Sequence, residues 1–179
     1  AHDWVGELAA NGVVSPLDLG SVASDLFDVG VTAFSYGGEV YGFPYATEAI
    51  AMYYNADLVD SVPTTWEEAK AACDAAGTEL CVGAPGGGGG GDAYHNHPFV
   101  ASAGGYVFAS EGGFDASDVG LDNAGALASA EYLDGLVKNG TVASTDYSGS
   151  MSAFQEGRSL FWMTGPWARN DASAVNYGV

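Results

Sequence analysis

The sequence predicts an α/β fold, because short apolar strand-like runs alternate with amphipathic helical stretches along its 179 residues. The segment FQEGRSLFWMTGPWA, residues 154–168, carries that pattern in its densest form. Phe154 ends a helical run, Gly157 suits a helix stop, and Ser159 to Met163 is apolar enough for a buried strand. Gly165 then frees the backbone to turn, and Pro166 suits the first position of a new helix. The 47% apolar and 12% aromatic content agrees with a globular chain. At this length one ordinary domain buries about 70% of its unfolded surface.

Taken in order, helices are predicted near 3–11, 64–76, 122–138 and 148–156. Strands are predicted near 39–44, 49–54, 80–83, 105–108, 159–163 and 175–179. Val13–Gly30 reads as a loop followed by a short helix, and Pro44-Tyr45-Ala46-Thr47 breaks one strand from the next. Thr64 or Thr65 ahead of Glu67 and Glu68 gives a helix start with acids in its first turn. Asp122 suits the cap of the third helix, and Gly140 follows its end with Lys138 in the last turn. Leu127, Tyr132, Leu133, Leu136 and Val137 give that helix an apolar face for packing on a sheet.

Net charge is −19, from 23 acidic and four basic residues. Nucleic acid and anionic lipid need clustered Lys and Arg, so neither is expected as a partner. Carboxylates without cations must be solvated or screened. Screening length falls to about 3 Å at 1 M salt, so a saline or acid-exposed setting is one reading and an ordinary acidic secreted protein the other. No apolar run approaches the roughly 18–20 residues that span a bilayer.

The Gly-Pro-Trp corner presents a broad ring, and flat apolar faces suit the C–H faces of a sugar. The corner segment resembles the maltose/maltodextrin-binding proteins, the solute-binding components of ABC sugar importers. Further blocks agree in the same order: AHDWVGELAANGVV at 1–14, GGEVYGFPYATEAIAMYYNADLV at 37–59, VPTTWEEAK at 62–70, DVGLDNAGALASAEYLDGLVKNG at 118–140 and SAVNYGV at 173–179. The resemblance covers nearly the whole chain apart from residues near 71–97. It implies a periplasmic-binding-protein-like two-lobe fold (type II), here an internal segment of a longer chain. Residues 1–47 would be part of the first lobe, 48–176 the second lobe, and 177–179 the start of a hinge crossing. It further implies an extracytoplasmic, non-enzymatic protein without cofactor or metal, with an oligosaccharide ligand and an ABC permease as partners. In an exported protein Cys73 and Cys81 are expected to form a local disulfide, with two buried free thiols as the alternative.

The same resemblance places sugar-binding roles on Asp3, Glu48, Tyr94 and Trp167. Each has a plainer alternative: a helix cap for Asp3, a hinge hydrogen bond for Glu48, a surface ring for Tyr94, a core position for Trp167. Trp4 stands where the family carries a basic residue, and would stack a further sugar unit or pack on the first lobe. Asp92-Ala93-Tyr94 stands where Glu-Pro-Tyr is expected. A glycoside hydrolase using Asp3 and Glu48 is the rival from another class. It would need two carboxylates about 5–9.5 Å apart across one bond.

Three features stay outside the resemblance. The Gly86–Gly91 run contains GxGxxG, but no Lys-Ser/Thr follows and no acid sits at a Rossmann spacing, so it reads as a flexible loop. His95-Asn96-His97 would hold a metal only with further ligands, and solvent-exposed or capping roles are the plainer reading. Asn139-Gly140-Thr141 is a sequon, glycosylated only by a host with that machinery.

Overall fold

A computed structural model describes residues 2–86, 92–109 and 115–179. Most of the Gly86–Gly91 run, read above as a loop, lies outside the described residues. The chain divides into two compact units, Ala1–Ala49 and Ile50–Val179.

In the first unit a 3-10 turn, His2–Trp4, runs directly into α1 (Val5–Ala10). A second 3-10 turn at Gly20–Asp25 precedes α2 (Asp28–Ala33), close to the loop-then-helix expectation. β1 (Ser35–Tyr36) and β2 (Glu39–Val40) form a hairpin in which Ser35 faces Val40 and Tyr36 faces Glu39. Its two loop residues, Gly37 and Gly38, both hold positive φ (60° and 87°), the pair of left-handed positions that a tight hairpin turn demands. The strand expected over 39–44 therefore ends at Val40. Beyond it Gly42 lies where a side chain would strike the Phe34 ring, and Pro44 has no N–H to donate.

The second unit holds β3 (Ala51–Asn55), α3 (Trp66–Ala76), β4 (Leu80–Pro85), α4 (Ala93–Ser102), α5 (Ala124–Lys138), β5 (Val142–Thr145), α6 (Tyr147–Gln155), β6 (Ser159–Thr164), α7 (Arg169–Ala172) and β7 (Tyr177–Gly178). Its sheet has the order β5-β4-β6-β3-β7. β4 runs parallel to both β5 and β6, whereas β3 is antiparallel to β6 and β7. Every residue of β6 is buried, as its apolar run predicts. Alternation along β6 sends Phe161 and Met163 to one face, among Val82, Phe99 and Leu136, and Trp162 to the other, with Tyr53 and Phe154.

Helix ends follow side-chain chemistry. Thr65 caps α3 by accepting from the Glu68 N–H (3.1 Å), and Gly77 ends it in the left-handed conformation. Asp146 caps α6, and Gly157 follows its end at φ 69°. The cap of α5 is Asn123, one residue after the expected Asp122. Asn123 Oδ1 accepts from the Ala126 N–H (2.8 Å) while its Nδ2 donates to the Gly104 carbonyl (3.0 Å), and an ionised aspartate can only accept. The buried face of α5 also differs from the expected one. Ala126, Ser129 and Leu136 turn inward with Leu133 packed beside them, while Leu127, Tyr132 and Val137 stay exposed. At the start of that face Gly105 packs on Ala126 so closely that a Cβ on the glycine would lie 3.0 Å from the alanine Cβ. The strand expected at 105–108 is replaced by isolated bridges, Tyr106 to Gly120 and Ala109 to Asp115. Cys73 and Cys81 form a disulfide that joins the last turns of α3 to the start of β4.

Candidate functional site: an aromatic platform on the second unit

Strand β6 ends at Thr164, and Gly165-Pro166 turns the chain into a 3-10 helix, Pro166–Ala168. Gly165 is extended there (φ −106°), so conformational freedom is not why glycine occupies it. The reason is proximity. A Cβ at Gly165 would lie 2.2 Å from Cζ3 of Trp167, whose six-membered ring folds back over the bare backbone. The Tyr53 hydroxyl donates to the Gly165 carbonyl (3.2 Å) and fixes the corner to β3. Trp162, three residues inside the strand, is fully buried and donates its indole N–H to Ser150 Oγ (3.1 Å). Trp167 is 40% exposed, so the two tryptophans divide the work of core and surface.

Helix α4 brings the second ring. Tyr94, 56% exposed, lies with its ring centroid 5.9 Å from that of Trp167, tilted by 50°. Two aromatic faces are thus presented together on one side of the second unit. Beneath them sits His95, buried and edge-on to both rings, with centroids 5.8 Å from Tyr94 and 5.8 Å from Trp167. Its Nδ1 is 2.8 Å from Asp92 Oδ2, and its backbone N–H donates to Asp92 Oδ1 at 3.0 Å. Burial alone would raise the Asp92 carboxyl. The hydrogen bonds from the His95 backbone and ring outweigh it and hold Asp92 below the usual carboxylate range.

His95 is therefore neither solvent-exposed nor itself a cap, contrary to the plainer expectation for the His95-Asn96-His97 run. It is the residue that sequence reasoning misplaced. The available signal was Asp92 three residues ahead of the imidazole, the spacing of an N-cap to its third helical position. His97 is exposed on the same helix. Among the described residues no group of three or more His, Cys, Asp or Glu side chains is placed to hold a metal.

The first unit carries the other expected site residues. Asp3 and Trp4 share the exposed 3-10 turn at its start, Trp4 being 60% exposed. The helix-cap alternative for Asp3 is not realised, since α1 begins at Val5 after Trp4 with no side-chain cap. Glu48 is exposed in an irregular segment after Pro44.

The family of proteins described as bacterial extracellular solute-binding protein matches residues 1–178. The chain belongs to that family. Among relatives of this solute-binding chain, the maltooligosaccharide ABC transporter solute-binding lipoprotein of Streptococcus pneumoniae (strain ATCC BAA-255 / R6) is 32% identical, over 99% of this chain and 44% of the relative. A maltotriose-binding protein of Pyrococcus abyssi (strain GE5 / Orsay) is 27% identical, over 100% of this chain and 40% of its own length. A galactooligosaccharide-binding protein of Bacillus subtilis (strain 168) is 26% identical, over 99% and 44%. The chain thus spans less than half the length of the curated relatives it matches. Its α/β class agrees with the two-lobe, periplasmic-binding-protein-like fold of such proteins. No described helix is long and apolar enough to cross a membrane.

Proposed function

We propose that this chain is part of a non-catalytic solute-binding protein that captures a maltose- or maltodextrin-type oligosaccharide between two lobes and delivers it to an ABC permease. The observation that carries the reading is the paired exposure of Tyr94 and Trp167, two flat rings held 5.9 Å apart, one on α4 and one on the strand-to-helix corner. Aromatic faces of this kind bury the apolar face of a pyranose without demanding a charge from it. The names of the relatives point to neutral oligosaccharides.

In this reading residues 1–47 contribute to the first lobe, 48–176 form the second, and 177–179 begin a crossing between them. Asp3 and Glu48 accept hydrogen bonds from sugar hydroxyls, and Trp4 stacks a further sugar unit. Ligand contact with both lobes favours the closed state by its differential affinity for that state. A second reading, another oligosaccharide in the same role, is favoured by the relative named for galactooligosaccharides. Calorimetric titration of the complete protein against maltotriose, longer maltodextrins, a cyclodextrin and a galactooligosaccharide separates these readings. Binding of maltotriose with the sugar recovered intact is the expected outcome. Preference for the galactosyl sugar would replace the ligand, and shortened products would replace the class.

A further inference from the structure

The residue beneath the two rings has no role in the reading just given. His95 is a polar side chain sealed among aromatic groups. Its Nε2 is buried and has no hydrogen-bond partner among the described residues, while its Nδ1 meets Asp92 Oδ2 at 2.8 Å. A buried polar atom without a partner destabilises a fold, so a plain apolar ring would have served simple packing better. What an apolar ring cannot do is hold a fixed orientation through a directional bond.

Both carboxylate oxygens of Asp92 meet His95, Oδ1 its backbone N–H and Oδ2 its ring. An ionised carboxylate only accepts, so Nδ1 carries a ring proton. The ring is thereby fixed edge-on to Trp167 at an interplanar angle of 85° and to Tyr94 at 79°. Trp167 also lies against the backbone of Gly165. The indole thus touches both a bare glycine and an imidazole tethered by Asp92.

We infer that His95, anchored by Asp92, is a positioning residue that sets the tilt of the Trp167 and Tyr94 faces toward the ligand. The inference rests on the sugar-binding reading only for its effect on affinity. Its effect on the Trp167 indole stands by itself. Fixing a binding surface in advance lowers the ordering cost of association. Releasing the ring should therefore weaken sugar binding without removing any group that touches sugar.

Asp92→Ser is the discriminating variant. A serine still caps α4 through the His95 N–H, but its hydroxyl cannot also reach the ring, so the helix is kept and the tether is lost. Asp92→Asn is the second variant. It retains the cap and the volume but presents an amide donor to Nδ1, which forces the ring proton to Nε2. Both are made in the complete protein and read by nitrogen-15 NMR of the His95 ring and of the Trp167 indole N–H, assigned with Trp167→Phe. Maltotriose affinity is measured alongside.

The expected result has an Nδ1-protonated His95 in the parent, a shifted Trp167 indole resonance in both variants, and affinity lowered about three- to tenfold. Melting temperature should change little in Asp92→Ser. An unmoved indole resonance in both variants overturns the inference, as does a parent ring without a proton on Nδ1. If the parent binds no sugar, the functional reading fails, and the indole resonance alone then decides the positioning role.

Discussion

Trp167 contributes to any ligand contact through the part of its ring that the corner leaves open, so its truncation tests the site most directly. Trp167→Ala should weaken oligosaccharide affinity by about 1–3 kcal/mol in calorimetric titration, with a melting transition still cooperative. Unchanged affinity would remove the residue from the site. Gly165→Ala makes a subtler test. The added methyl would sit 2.2 Å from the indole, closer than any real contact, so the ring must swing away. Affinity should fall by about 1 kcal/mol or more although no ligand-contacting atom is deleted. The Gly-Pro-Trp corner was legible in the sequence because Pro166 suits the first position of a helix after an apolar strand. The purpose of its glycine was not, since a ring folded back across a backbone leaves no mark on the pattern of residues. The burial of His95 was hidden for a similar reason. The imidazole is covered by Trp167, a residue remote in the chain, and no local rule reports that.

At the scale of single elements, α3 concentrates the local signals. Thr65 accepts from the Glu68 N–H, while Glu68 Oε2 accepts from the Thr64 N–H (2.8 Å) and the Thr64 hydroxyl (2.9 Å). Thr65→Ala should destabilise the second unit by about 1 kcal/mol in urea unfolding. The bonds from the Thr64 backbone and hydroxyl hold the Glu68 carboxyl below its ordinary value. A carboxyl depressed by folding stabilises the native state above the unfolded value and loses that contribution as pH falls through the folded one. Unfolding midpoints of the parent and Glu68→Gln should therefore differ near neutrality and converge as pH drops below about 4. The disulfide at the far end of the helix closes a loop with a sequence separation of 8. Replacing Cys73 and Cys81 by Ala and Ser should cost about 2–3 kcal/mol, read from the same unfolding curves. Helices with a capping residue and a following glycine were readable within a residue or two, as α3 and α6 show. β5 went unread because Val142-Ala143-Ser144-Thr145 is too short and too polar to stand out, and its strand geometry comes from pairing with β4. α4 went unread because it follows a glycine run and carries Pro98, which removes one helical hydrogen bond without ending the helix.

For the whole molecule, charge is the dominant unspent interaction, and it was fully visible in the sequence. Of the four cations, Lys70 pairs with Asp74, Lys138 with Asp134, and Arg158 with Glu156 and Glu79. These pairs are largely exposed, so each contributes about 1 kcal/mol or less. Most of the 23 acids therefore have no cation beside them, and their mutual repulsion opposes the compact state. Raising salt shortens the screening length from about 10 Å at 0.1 M to about 3 Å at 1 M. Repulsion summed over many distant carboxylates should fade faster than the few local pairs weaken. The melting temperature should therefore climb between dilute buffer and molar sodium chloride. Excluded salts also strengthen apolar burial, so the control is sucrose at equal osmolality, which leaves charge unscreened. A rise with sodium chloride well beyond that with sucrose assigns the effect to the carboxylates. Equal rises, or a melting temperature flat across the salt range, would show that solvation alone already holds these acids apart and that the chain has no dependence on a saline setting.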